Sequence, residues 1–158
     1  MFRRTHLSFF FLIILMTSCT GQGEYSVSKI DKYLKEFESS SEQDLTELDL
    51  SLIYNTSWDK IYFFGGFTTS EEMEETIGFD CECQIVEDDL NRFVIVDKHQ
   101  IIYSEDYDPG SVTFEFESRL IVDRNQPKLK VVVIKDNAGT PIIYRLENTN
   151  DSNEPFKR

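Results

Sequence analysis

The sequence predicts an α+β domain: a mainly antiparallel β-sheet of about five or six strands, with one or two short helices on one face. Three observations carry this expectation. From Cys83 onward, short runs rich in β-branched and aromatic residues alternate with polar turns. Val112, Phe114 and Phe116 interleave with Thr113, Glu115 and Glu117, the pattern of a strand with one buried and one wet face. Helical spacing shows in only two short segments, and sequential strands joined by short turns pair antiparallel.

Taken in chain order, Ile30, Tyr33, Leu34 and Phe37 fall on one helical face, with Asp31, Lys32, Lys35 and Glu36 opposite. This stripe suits packing on the sheet, or else a partner or membrane surface. Ser39 to Asp44 is a polar linker. Leu45 to Tyr54 satisfies neither the helical nor the strand period and is assigned to neither. Trp58 to Phe64 is an aromatic strand ended by Gly65-Gly66. Thr69 and Glu72 stand at capping-box spacing, Met73 and Ile77 share a face, and Gly78 occupies the place of a C-terminal cap, so a helix runs from Ser70 to Ile77. Beyond it, Phe93–Val96 and Ile101–Tyr103 flank a polar break at residues 97–100, and Asp108-Pro109-Gly110 makes a turn. Leu129–Ile134 and Ile142–Leu146 form a second hairpin around residues 136–141. No internal repeat is present.

The N-terminal segment has a different character. Arg3 and Arg4 precede an apolar run from Leu7 to Met16 of ten residues, short of the ~20 needed to span a bilayer. Met16-Thr17-Ser18-Cys19 closes it. This resembles the signal of bacterial lipoproteins, with Met16 where leucine is usual. The resemblance implies cleavage before Cys19, a thioether-linked diacylglyceryl group on Cys19 and often a further acyl chain on its amine. With burial contributing ~0.8 kcal/mol per methylene, two or three chains hold a protein on a membrane stably. The expected organisation is therefore a signal peptide over 1–18, a lipidated cysteine and tether over 19–28, a single domain over 29–148 and a flexible tail over 149–158. The expected location is the bacterial cell envelope, with the domain outside the cytoplasm. Residues 58–78 are also similar to a segment of small uncharacterised bacterial lipoproteins, which usually carry Pro-Tyr in place of Gly66-Phe67. That similarity implies no activity.

Charge narrows the partners. The net charge is −13, and removal of residues 1–18 takes two of the 16 basic residues and none of the 29 acidic ones, leaving −15. Nucleic acid and direct adhesion to anionic lipid both require clustered Lys and Arg and are excluded on that ground. An acidic surface serves solubility, or it steers a basic protein partner.

Residues able to do chemistry are sparse. Besides Cys19, the mature chain has Cys81 and Cys83, one residue apart, where a bridge is geometrically strained. A structural or redox-altered thiol pair is the expectation, since zinc would need two more soft ligands and His99 is the one histidine after residue 18. His99 lies in a hairpin turn, an exposed place unsuited to serve a nucleophile. Asp106, Asp108 and Glu117 fall at positions 1, 3 and 12 of an EF-hand-like spacing, yet position 6 is Ser111 and a strand follows where a helix is required. No metal, cofactor or catalytic residue is expected. The aromatics Trp58, Tyr62, Phe63, Phe64 and Phe67 belong first to a core. Trp58, Tyr62 and Phe67 are the candidate binding residues should some line a groove, Trp58 and Tyr62 being chosen for their polar atoms. The functional expectation is a lipid-anchored envelope module that binds or inhibits a basic protein without catalysis; a structural accessory subunit of an envelope assembly is the alternative.

Overall fold

The computed structural model of the chain describes residues 25–40 and 45–149. The signal segment, Cys19, residues 41–44 of the linker, and all of the tail but Thr149 lie outside the described residues. Among those described, the chain runs α1 (Ser28–Ser40), β1 (Glu47–Asp49), α2 (Leu50–Ile53), β2 (Lys60–Phe64), α3 (Ser70–Ile77), β3 (Asn91–Asp97), β4 (Gln100–Tyr107), β5 (Phe114–Phe116), β6 (Arg119–Asp123), β7 (Lys128–Lys135) and β8 (Pro141–Asn148). The fold is α+β and antiparallel-rich. It has eight strands where five or six are expected, divided between two four-stranded sheets ordered β1-β7-β8-β5 and β4-β3-β2-β6.

Two cores explain the division. Strand β2 is apolar on both faces: Ile61 and Phe63 point into one cluster, Tyr62 and Phe64 into another. The first cluster fills the space between the sheets, where Phe63 and Phe93 meet Phe114, Leu129, Tyr144 and Leu146. Helix α1 closes it with Ile30 and Leu34, both fully buried. The Asp31 carboxylate fixes α1 by accepting from the Thr113 amide at 2.8 Å and hydroxyl at 2.7 Å, and from Lys35 at 2.6 Å. Burial works against its ionisation, but Lys35 and Thr113 outweigh that and hold its pKa below the ordinary value. The second cluster lies on the far side of the second sheet, under α3, with Met73, Ile77 and Val86 against Phe64, Val94 and Val96. The two longer helices thus serve different cores and do not share one face.

Local rules hold where they are strongest. Helix α3 begins with the capping box: Thr69 Oγ1 accepts from the Glu72 amide, and Glu72 accepts from the Thr69 amide at 2.8 Å. It ends at Gly78, φ 89°, a left-handed cap that a side chain would strain. The β3–β4 turn is tighter than the expected four residues: Asp97 pairs with Gln100, leaving only Lys98 and His99, both at positive φ. Asp59 supports it by accepting from the Lys98 amide at 2.6 Å. Strand β6, which the sequence does not announce, occupies the edge of β2 antiparallel, Phe63 opposite Leu120. Strands β5 and β8 run parallel, Phe114 opposite Tyr144, the one departure from antiparallel pairing among the described strands.

Candidate functional site

Strand β2 leaves the second sheet at Gly65, and the chain makes a loop, α3 and a second loop before re-entering at β3. These residues form a layer over the second core. A side chain at Gly66 would bring its Cβ to 2.5 Å from the Asp88 carbonyl oxygen, so the two loops approach through backbone alone. Two hydrogen bonds hold them together, from the Phe67 amide to the Val86 carbonyl at 3.1 Å and from the Val86 amide to the Thr68 carbonyl at 3.0 Å. Arg92 ties the layer to the sheet, donating to the Gln84 carbonyl and to both oxygens of Asp106.

This pairing sets Phe67, 69% exposed, beside the segment that carries Ile85, 56% exposed. Phe67 also stands at φ 66°, a conformation that costs a bulky L residue free energy and that recurs at binding and catalytic sites. The other exposed large apolar residues, Leu52, Ile102 and Ile142, sit on separate elements. Around Phe67 and Ile85 acidic side chains predominate, with Arg92 reaching the Gln84 carbonyl from β3 and Arg119 the Thr76 hydroxyl from β6. Between Lys60 and Arg92 there is no Lys or Arg, while α3 carries Glu71, Glu72, Glu74 and Glu75 and the following loop carries Asp80, Glu82, Glu87, Asp88 and Asp89. Eight of these nine are exposed. Among the described residues none is in an ion pair. The pKa of Glu72 is held below the ordinary value by its bonds to the Thr69 backbone and hydroxyl.

Within the same layer Cys81 and Cys83 are joined as a disulfide, Cα atoms 5.1 Å apart, with Glu82 between them at φ 49°. The expectation is a structural or redox-altered thiol pair, a bridge across one residue being geometrically strained; the structure has the bridge. Its closed loop is so short that chain entropy gives it only about 1.6 kcal/mol, against ~3 for a fifteen-residue loop. It therefore shapes one turn and does not staple distant parts of the chain.

The other candidates are placed elsewhere. Trp58 is 1% exposed, donates its indole N–H to the Tyr54 carbonyl at 3.0 Å and lies 5.2 Å from the Arg124 guanidinium. Tyr62 is equally buried and stacks on Phe64, and burial followed by the charge of Asp123 pushes its hydroxyl up. Neither lines a groove: the polar atom that argued for exposure of Trp58 is satisfied inside, so Phe67 alone of the three faces solvent. His99 is exposed in its turn, its ring 6.5 Å from Phe79. Asp106 is engaged by Arg92, Asp108 caps the 3-10 turn Pro109–Ser111, and no group of three His, Cys, Asp or Glu among the described residues is placed to hold a metal ion. A cleft of about 630 Å³ opens near the ends of β5 and β8, but its cations are taken: Lys130 by Glu147, Arg145 by Glu115, and Arg119 by Thr76.

No family model, curated protein or solved structure matches the chain.

The site rests on its own geometry, then, and sequence reasoning reached it only through Phe67. Ile85 carried no signal, being one apolar residue in a polar stretch. The asymmetry of charge was available by counting: a run of 31 residues without a basic side chain stands out in a chain holding 16 of them.

Proposed function

We propose that this protein is a lipid-anchored module of a bacterial envelope that captures a basic protein, using the acidic layer for attraction and Phe67 with Ile85 as the apolar anchor. The observation that carries this reading is the coincidence, on one layer, of two exposed apolar side chains, a backbone strained to present one of them, and nine carboxylates of which none is in an ion pair among the described residues, Arg119 acting on Glu72 from beyond salt-bridge distance. A charged rim gives a fast, salt-sensitive encounter, and desolvated apolar side chains at its centre give residence time. Attachment is assigned to Cys19 and its acyl chains on the resemblance of residues 1–19 to a lipoprotein signal; no helix among the described residues is long and apolar enough to cross a membrane.

The test uses full-length protein in mild detergent, immobilised and exposed to basic proteins, including a cell-wall hydrolase, at physiological salt. Retention is expected, with loss of more than tenfold in affinity for Phe67→Ser or Ile85→Ser and a steep decline as salt rises. The reading fails if basic proteins pass through unretained and hydrolase activity is unchanged. A Cys19→Ala variant that still carries acyl mass and partitions with membranes would remove the anchor from it.

A further inference from the structure

We propose that Cys81–Cys83 is a thiol–disulfide exchange site whose electron donor is a cationic dithiol. The inference goes beyond partner capture and does not need it. A bridge across a single residue constrains little of the unfolded chain, so it adds little to folding. It encloses Glu82 at φ 49°, a left-handed backbone that a non-glycine side chain disfavours and that opening of the ring would release. Strained, accessible bridges are the exchangeable ones. Both cysteines are half-buried: like Phe79 and Leu90 they pack against the second core, and the remainder meets solvent. An attacking sulfur must arrive as a thiolate, and Asp80 and Glu82, next to the cysteines in the chain, repel an anionic carrier, while the neighbouring Arg92 at the Gln84 carbonyl is paired with Asp106. A carrier with its own positive charge is attracted instead.

The reaction balances without a cofactor. A donor thiolate attacks one bridge sulfur, the Cys81–Cys83 bond breaks, and the departing cysteine thiolate takes up a proton. The donor's second thiol, deprotonated, attacks the mixed disulfide and releases the other cysteine. Two electrons have moved: the bridge becomes a dithiol and the donor a disulfide.

The probes are cysteamine, 2-mercaptoethanol and 3-mercaptopropionate, matched in thiolate concentration and added to the folded full-length chain at low salt. Timed alkylation and peptide mass locate the opened cysteines, and Trp58 fluorescence monitors the fold. Opening within minutes without unfolding is expected, with cysteamine at least tenfold faster than 3-mercaptopropionate and the ratio collapsing toward unity in 1 M salt. Glu82→Gly should slow opening several-fold relative to Glu82→Gln, which loses the same charge but keeps the strained backbone. Free Cys81 and Cys83 thiols in protein isolated under oxidising conditions would overturn the proposal. So would a bridge that opens only on unfolding, or equal rates for the three thiols at low salt.

Discussion

On the outer face of the first sheet each of three cations stands against a carboxylate: Lys128 lies 2.6 Å from Glu47, Lys130 2.7 Å from Glu147, and Arg145 2.6 Å from Glu115. In the layer over the second sheet none of nine carboxylates is in an ion pair among the described residues, although Arg119, bound to Thr76, acts on Glu72 from farther off. Exposed cross-strand pairs contribute ~0.2–1 kcal/mol each and leave a surface that attracts little. Apart from Glu72, whose carboxylate completes the α3 capping box, such like charges repel one another and project a field. One covering surface is neutralised and the other is charged, and the charged one also bears Phe67, Ile85 and the disulfide.

The sharpest way to break this contrast is to weaken each side from beneath. Phe63→Ala, in the core between the sheets, should cost about 3–5 kcal/mol and be felt throughout the domain. Met73→Ala, in the core under α3, should cost about 2–3 kcal/mol and be concentrated in the layer. Denaturant titration with hydrogen exchange separates the two, and equal loss of protection everywhere would mean that the layer is no separate unit. Gly66→Ala comes next, at about 2 kcal/mol, because its Cβ must displace the Asp88 carbonyl; the same measurement should show exchange rising across residues 84–89.

Thr69→Ala removes one half of the capping box and should cost about 1 kcal/mol. Its pH dependence has a definite sign. Glu72 titrates below its ordinary value in the folded chain, so its contribution is present above the unfolded carboxylate range and is lost as pH falls through the folded value. Thermal melts from pH 6 to pH 3 should therefore converge at the acid end for the parent and Glu72→Gln, whereas Thr69→Ala, which keeps the backbone amide that donates to Glu72, should close its gap only in part. The smallest effect sharpens the contrast itself. Lys130→Ala should change stability by less than about 0.5 kcal/mol at low salt and by nothing measurable in 0.5 M salt, since an exposed pair is screened. Salt should act oppositely on the acidic layer, raising its protection from exchange as repulsion is screened.

How legible all this was depends on how local the cause is. The α3 helix could be read to its end residues because the Thr69–Glu72 box and Gly78 act within one turn of it. Both hairpins could be found for the same reason. The split into two sheets could not, because Ile61, Tyr62, Phe63 and Phe64 are all apolar and an unbroken run carries no sign of which face belongs to which core. Leu45 to Tyr54 defied assignment because a three-residue strand passes directly into a four-residue helix, leaving no room for either period to repeat. The parallel partnership of β5 with β8 depends on two intervening strands in different sheets. Of the candidate site, Phe67 was legible as an aromatic and Ile85 was not, since their proximity is created by the close backbone approach at Gly66.

Glu105 sits on β4 at the opposite extreme from that layer in what it holds. Its carboxylate accepts from the Val27 amide, from the Ser26 hydroxyl at 3.3 Å and from the Tyr103 hydroxyl at 2.8 Å, while Tyr25 packs 6.0 Å from Tyr103. Burial together with Glu105 pushes the Tyr103 hydroxyl up to about 12, so Tyr103 keeps the proton it donates at any physiological pH. Mechanically, the clasp fastens residues 26 and 27 to β4, so a pull on the chain ahead of them would bear first on these bonds. Residues 65–90 contribute none of the groups in this clasp.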